Sequence, residues 1–411
     1  MGKMSLAGIL MLAMVLLLAW PAGNGANHAA ATDAADAPAA SDVSAATADV
    51  VAVDVAVASV AADAADASAA SAVSAALADV VAADDARSQR WEGNRISTMN
   101  YMSRKQMEDI LQWEQEGRWK AYNYPTVYDA AQKGMPVMDS SGRSELPAMR
   151  LEGEVPLIYP LGEGTAGGSR AVQEASPGKE IRCLVLPHHY PAAGLSVHAL
   201  RQVAAQDRLP ELVVVLGPNH ANIGEPAMTT DAAWATPFGT VLPRMAGIHA
   251  LSGTGLVEVS SRVFEEEHSM GMVIPWVAHF LPDAEVVPLL LHYRYPLPEL
   301  EKLLESLAAH AAGEKEMLLI VSADFSHHHT RDEAEALDRL TAAYLAEGNW
   351  RAISRLSSEY LDSPTLVAAM MRFAESRGYQ GPAVMAHTNA GFLTGDAYSE
   401  TASYFVLAYG E

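Results

Sequence analysis

An α/β fold, with a mixed central sheet covered by helices on both faces, is what the sequence predicts. Three observations predict it. Four apolar runs, "IRCLVLP", "ELVVVLG", "EVVPLLLHY" and "EMLLIVSAD", are continuous rather than alternating; strands of that kind need cover on both faces. Segments of helical length, such as "GLSVHALRQVAAQ" and "LPELEKLLESLAAHA", lie between them. Strand and helix therefore alternate, the pattern of a layered α/β domain.

From the start of the chain, Lys3 and the uncharged run "LAGILMLAMVLLLAW" read as a secretory signal over residues 1–26, with cleavage near Ala26 after "PAGNGA". The run is shorter than the roughly 20 residues that a spanning helix needs, so no stable membrane span is expected after cleavage. The expected location is periplasmic or extracellular; if uncleaved, the segment would anchor the chain to a membrane. Residues 27–88 are Ala, Asp, Ser and Val-rich, with ten aspartates and no lysine or arginine before Arg87. Such a composition buries too little apolar surface to offset ordering entropy, and reads as a disordered acidic tether. Residues 89–178 form an extension of unclear role. Within it "SRKQMEDILQWEQEGRWKAY" predicts an amphipathic helix with Ser103 as N-cap, while "DSSGRSELP" and "GEGTAGGSR" read as loops.

From Lys179 onward the α/β pattern takes over. "IRCLVLP" and "ELVVVLG" are the first two strands. "MGMVIPWVAHFL" is a helix leading to "EVVPLLLHY", and "EMLLIVSAD" is the fourth strand. Two or three helices fill residues 330–378, and "SETASYFVLAY" is a closing strand. The single cysteine, Cys183, rules out an intramolecular disulfide and lies in an apolar strand, where a buried thiol is expected. The net charge of −23 leaves no basic stripe to neutralise phosphates, so a nucleic-acid partner is not expected. A small-molecule or peptide ligand is.

The residues just past each strand carry the functional signal. After "LVLP" come His188 and His189; after "VVVLG" come Pro218, Asn219 and His220; after "LLIVSA" come Asp324 and three of the chain's 14 histidines, His327 to His329. Ligands of open α/β sheets bind beyond the carboxyl ends of the strands, so these residues should converge on one crevice, with donors suited to a metal. His189 could instead cap a turn. Asp324 could cap a following helix, and would share a helical face with His327 three residues on. His328 and His329 read as solvated. His198, His249, His279, His292 and His310 read as structural, without carboxylate partners.

The ordered pieces "LVLPHHYPAAGLSVHAL", "LGPNH", "TPFG", "EEEHS", "LLIVSADFSHH" and "HTNAGFLTGDAYSETASYFVLAYG", over residues 179–411, resemble the Memo family, called protein B of the AmmeMemoRadiSam system. The resemblance implies a fold similar to class III extradiol dioxygenases and a mononuclear non-haem Fe(II), with zinc or copper as alternatives. It matches His188 and His220 to the metal-binding histidines and Asp324 and His327 to an Asp and a His lining the same pocket. Glu267 and His268 match a pocket-side or structural pair. Two departures stand out. "PHHYP" replaces the usual Pro-His-Ala-Gly-Tyr. The cysteine that completes the site in several relatives has no counterpart near "EYLDSPTLV". Asp362, which could equally cap the helix after it, and His387 in "MAHTNAG" are the candidates for the third ligand. An Fe(II) oxygenase or redox enzyme on a small molecule is the first functional expectation. A binding module with a vestigial site and a zinc hydrolase, with Glu267 or Asp324 activating water, are the alternatives.

Overall fold

The fold comes from a computed structural model, which describes residues 91–118, 137–138, 159–160, 180–310, 317–396 and 398–411. The signal, the tether and the two loops read at residues 139–147 and 162–170 lie outside the described residues. In chain order the elements are β1 (Arg95–Ser97), α1 (Arg104–Gln115), the two-residue β2 (Val137–Met138) and β3 (Tyr159–Pro160), β4 (Ile181–Leu186), α2 (Ala193–Ala204), β5 (Leu212–Pro218), β6 (Ala227–Thr229), β7 (Ala233–Thr236) and β8 (Gly239–Val241). Then come α3 (Met245–Ser252), β9 (Glu258–Val259), α4 (His268–Gly271), α5 (Ile274–Phe280), β10 (Glu285–Leu291), α6 (Leu297–His310), β11 (Met317–Ser322) and β12 (Phe325–His329). The chain continues through α7 (Arg331–Ala346), α8 (Trp350–Ile353), α9 (Pro364–Ser376), β13 (Gln380–Asn389), α10 (Ala390–Thr394) and β14 (Thr401–Gly410).

The large sheet has the order β12-β14-β4-β11-β5-β10-β6-β9, with β13 also paired to β14. Its centre, β4-β11-β5-β10, is parallel. β6 joins β10 and β14 joins β4 antiparallel, so the sheet is mixed as predicted. Successive side chains of a strand point to opposite faces, and this separates two cores. Val185, Val214, Leu289 and Val321 face a cluster with Leu303 and Leu304 of α6 and Leu366 to Ala374 of α9. Leu184, Val215, Leu290 and Ile320 face a second, with Leu195 to Val203 of α2 and Trp276 of α5. Burial on both faces is why these runs are continuously apolar.

Residues 91–118 of the extension belong to the second core. β1 pairs with β7, and Ile96, Met102 and Met107 are buried among Trp234 and Trp276. Ser103 caps α1 as predicted, in a capping box with Gln106. Three expectations from the sequence need correction. "MGMVIPWVAHFL" is two short helices, α4 and α5, rather than one. His198 has a carboxylate partner, Glu114, at 3.3 Å, and Glu114 also pairs with Arg201; this ties α1 to α2. Asp324 starts no helix: β12 comes directly after it, and the next helix begins only at Arg331, capped by Thr330. Cys183 is buried in β4, and burial pushes its thiol up. No helix among the described residues is long and apolar enough to cross a membrane.

Candidate metal centre

β4, β11 and β5 are parallel neighbours, so the residues that come after them leave from one edge of the sheet. The insertion of β11 between the other two sets Asp324 between His188 and His220. The Ala323 amide donates to Leu186 O at 3.0 Å, and the His188 amide donates to Asp324 Oδ1 at 3.1 Å.

His188 is buried, with its tautomer fixed. Ser322 Oγ donates its single hydrogen to Ser269 O at 2.7 Å. At its 3.0 Å contact with His188 Nδ1 it can then only accept, so the proton sits on Nδ1 and Nε2 keeps its lone pair. Burial, helped by His220 and His268, holds the imidazole well below its ordinary pKa. Nε2 faces Asp362 Oδ2 at 3.3 Å and Asp324 Oδ2 at 3.6 Å.

His220 is oriented by Glu267. Its Nδ1 donates to Glu267 Oε1 at 2.7 Å and its amide to Oε2 at 2.9 Å. Burial works against the charged forms of both groups, but their hydrogen bond outweighs it: Glu267 lies below and His220 above its ordinary pKa. The second proton of His220 is therefore the one on Nε2, and its loss turns a lone pair into the site. A carboxylate behind an imidazole is the usual support of a metal-binding histidine. Glu267 also caps α4 through Ser269 N at 3.0 Å, so it orients and does not face the crevice.

This approach of α4 requires Gly217 at the end of β5. A Cβ there would stand 2.6 Å from Ser269 Oγ, which gives the glycine of "LGPNH" its physical role. Ser269 Oγ in turn donates to Pro218 O at 3.0 Å. "EEHS" thus orients both histidines, Glu267 acting on His220 and the Ser269 carbonyl acting on His188 through Ser322.

His268 is the third imidazole. It stacks on His220 with ring centroids 4.1 Å apart and meets His188 edge-on at 5.0 Å. One nitrogen from each of His188, His220 and His268 lies within 4.8 Å of the others. Burial, then His220, pushes His268 down to about 4, so it is neutral at ordinary pH.

The opposite wall is a pair of carboxyl groups. The Asp362 amide donates to Asp324 O and the Asp324 amide to Asp362 Oδ2, both at 3.1 Å. Asp362 does not cap α9; its carboxyl is engaged with Asp324, and Ser363 is the N-cap, without a side-chain bond. Burial raises both acids, Asp362 to about 7 and Asp324 well above its ordinary range, the latter also through the Asp362 charge. Asp324 Oδ2 and Asp362 Oδ1 are buried without a hydrogen-bond partner, and so is His327 Nδ1. His327 is carried by β12, where its amide donates to Glu359 O at 3.2 Å; it shares no helical face with Asp324. Burial, then His189, lowers it to about 4. His189 is half exposed, with Nδ1 3.1 Å from Tyr404 Oη and 3.8 Å from Asp324 Oδ2.

His387 stands apart from this group. Its Nε2 bonds Asp338 Oδ2 at 2.8 Å and its ring stacks on Phe405. His328 is exposed beside Glu400. Ser322, Ser269 and Tyr404 are the contributors that sequence reasoning passed over, although two of them sit inside the quoted "SAD" and "EEHS".

Three gathered imidazoles, with Asp324 Oδ2 and Asp362 Oδ2 against His188 Nε2, suit a divalent ion with nitrogen and oxygen ligands. An α/β sheet with such donors past its carboxyl edge defines a candidate metalloprotein. A family model described as Memo-like protein matches residues 169–407, and the chain belongs to the Memo family. It is 26% identical over 249 residues to a MEMO1 family protein of Pyrobaculum aerophilum, covering 59% of this chain and 88% of that one. With a MEMO1 family protein of Sulfolobus acidocaldarius the identity is 24% over 252 residues, 58% and 86% of the two chains. A MEMO1 family protein of Thermus thermophilus is 31% identical over 185 residues, 44% of this chain and 54% of its own.

Proposed function

We propose that the chain holds one non-haem metal ion between His188 and His220, and that it is an Fe(II)-dependent redox enzyme acting on a small molecule. The observation that supports this reading is the matched orientation of the two imidazoles. Each commits Nδ1 to a fixed acceptor, and Nε2 of His188 meets Asp362 Oδ2 at 3.3 Å and the unpartnered Asp324 Oδ2 at 3.6 Å. Two imidazoles and one carboxylate on one face, with open positions, form the donor set of non-haem Fe(II) oxygenases. Asp362 is the carboxylate, in the stretch where the resemblance expects a cysteine. Bound Fe(II) supplies one-electron redox chemistry and open positions for a small molecule and dioxygen.

The protein's own residues do the rest. His327, neutral and with an unpartnered Nδ1, takes a proton from a substrate hydroxyl. Asp324, held protonated by burial, donates a hydrogen bond to developing negative charge. Glu267 and Ser322 keep both imidazoles in the binding tautomer.

His268 favours a second reading. With it, three imidazoles surround one point, a donor set that also suits a hydrolytic zinc. Glu267 is spent on His220 and Ser269 and is not available as a base, so in this reading Asp324 activates the water, and it does so only as the carboxylate, ionised by the charge of the bound ion.

The test is metal content of full-length protein purified without oxygen or a histidine tag, beside a His188→Ala, His220→Ala double variant. About one iron per chain, absent from the variant, upholds the redox reading. Zinc or copper lost in the same way replaces it. A metal-free protein that takes up none of these ions ends both readings and leaves a binding module. From residues 1–26 we also propose export; detection of the mature chain in the cytoplasmic fraction alone would refute it.

A further inference from the structure

Asp324 leads straight into β12, and the two together break the rule of a strand. Successive side chains point to opposite faces, so residues three apart cannot reach one site from an unbroken strand. Asp324 and His327 both reach the metal centre. Asp324 Oδ2 lies 3.6 Å from His188 Nε2 and 3.8 Å from His189 Nδ1. His327 feels the charges of His189, His220 and His268, and its own acts on His188. Between the two, Phe325 enters the core, its ring 4.9 Å from that of Phe405, and Ser326 turns to Asp338 of α7.

A bulge makes this possible. Phe325 pairs with Ser403 of β14 and His329 with Thr401, so the four steps from 325 to 329 oppose only the two from 403 to 401. Within the excess, Ser326 has a φ of 26° and His328 a φ of 60°, in the left-handed region that side-chain-bearing residues avoid. Bulges re-aim side chains and are over-represented beside active sites. Two sets of bonds hold this one. The Ser326 amide donates to Tyr360 O at 2.9 Å and the His327 amide to Glu359 O at 3.2 Å, which ties the bulge to the segment leading to Asp362. On the other side the buried Ser326 hydroxyl donates to Asp338 Oδ1 at 2.7 Å. Asp338 is itself fixed, by Ser403 Oγ of β14 at 2.6 Å and by His387 Nε2 of β13 at 2.8 Å.

We propose that Ser326 and Asp338 are positioning residues: their hydrogen bond holds the left-handed backbone at Ser326, and that backbone turns His327 into the His188–His220 centre. Without the bond, Ser326 relaxes to the extended backbone that a side chain prefers, and His327 leaves the centre. The Asp338 cluster then takes no ligand of its own; it aims a residue of the neighbouring group. The proposal rests on the proposed function only for what His327 does in the centre; holding the side chain there needs no metal.

The experiment is a pH titration of the histidine ring signals by nuclear magnetic resonance, on the full-length, metal-free chain labelled at its histidines. His327 is assigned from the signal lost in His327→Gln, and iron uptake is measured in parallel. Wild type, with His327 at about 4, is compared with Ser326→Ala, Ser326→Gly and Ser403→Ala. Ser326→Ala removes the pin and keeps the strain, so His327 should rise to about 5 or above, toward its ordinary 6.5, as burial is lost. Ser326→Gly also removes the pin, but glycine accepts a positive φ, so His327 should stay nearer its wild-type value. Ser403→Ala takes the other hydroxyl from the same oxygen of Asp338. It should cost similar stability in urea and leave His327 unmoved, a distinction that a merely structural role would not make. A chain that takes up no iron yet shows this order upholds the positioning and sinks the metal reading alone. His327 near 6.5 in wild type, an unmoved His327 in Ser326→Ala, an equal shift in Ser403→Ala, or a glycine variant no nearer wild type than the alanine variant would overturn it.

Discussion

Two buried groups of histidine and aspartate lie in this fold, and they differ in one respect. In the first, Asp338 of α7 accepts from Ser326 Oγ at 2.7 Å and Ser403 Oγ at 2.6 Å on one oxygen, and bonds His387 Nε2 at 2.8 Å on the other. Neither Asp338 nor His387 leaves a buried side-chain polar atom without a partner. In the second, Asp324, Asp362 and His327 each leave one, while His188 and His220 direct lone pairs at the same space. His188 and Asp324 are as fully buried as His387 and Asp338. Burial therefore does not mark a site; several unmet polar atoms gathered in one place do. Each unsatisfied buried group costs about 1–3 kcal/mol, and a fold that gathers several in one place is arranged for something that completes them.

The largest expected effect comes from removing the lone pairs. The His188→Ala, His220→Ala variant should lose metal binding by more than about a hundredfold, since the proposal makes the two imidazoles ligands rather than supports. Elemental analysis and circular dichroism together check this; metal retained in a folded variant would erase the contrast between the two groups. Next, Asp338→Ala should destabilise the protein by about 3–5 kcal/mol, the cost of breaking a buried charged network. The metal content of the remaining folded fraction should be unchanged. Urea unfolding with metal analysis reads both, and specific loss of metal would show that the saturated cluster is part of the site.

Glu267→Gln comes third. It keeps the shape but weakens the hold on the His220 tautomer, and metal affinity should fall about 10–100-fold. A competition titration with a chelator decides this, and an unchanged affinity would reduce Glu267 to its capping role on α4.

The smallest effect is one of pH. Asp362 is raised from 3.8 to about 7 in the fold. Between those values the folded chain binds the extra proton, so stability from this group is full below pH 3.8 and is lost as pH rises through about 7. Asp362→Asn should therefore gain melting temperature relative to wild type as metal-free protein goes from pH 5 to pH 8. His268 and His327, lowered to about 4, act in the opposite sense: their contribution is full above 6.5 and fades as pH falls toward 4. A constant difference between Asp362→Asn and wild type across pH 5–8 would mean that Asp362 is ionised throughout.

The parts of the site legible in the sequence are those that come straight after an apolar run. "IRCLVL", "LVVVLG" and "MLLIVS" are buried along their whole length, and the polar residues immediately after them had to emerge at the sheet edge. β12 and β13 were not legible. "FSHHH" has no apolar face, and "QGPAVMAHTN" mixes exposed and buried positions without a regular period. For the same reason Asp324 and His327 read as a helical turn although a strand carries the histidine: three residues of spacing without periodicity cannot choose between the two. His387 looked like a pocket residue because Asp338, 49 positions away, is invisible as its partner in a linear reading.

By itself the sequence determined the class of fold, the four central strands and the chemical character of the edge. Apolar runs demand cover on both faces, and polar residues cannot continue into that cover. Only the tertiary structure decided that β11 enters between β4 and β5, bringing Asp324 beside His188. It also decided which nitrogen of each imidazole faces the site. That choice belongs to Ser322, 134 positions from His188, and to Glu267, 47 positions from His220. A tautomer is fixed by the hydrogen bond at the ring's far side, and those partners meet only when the chain is folded.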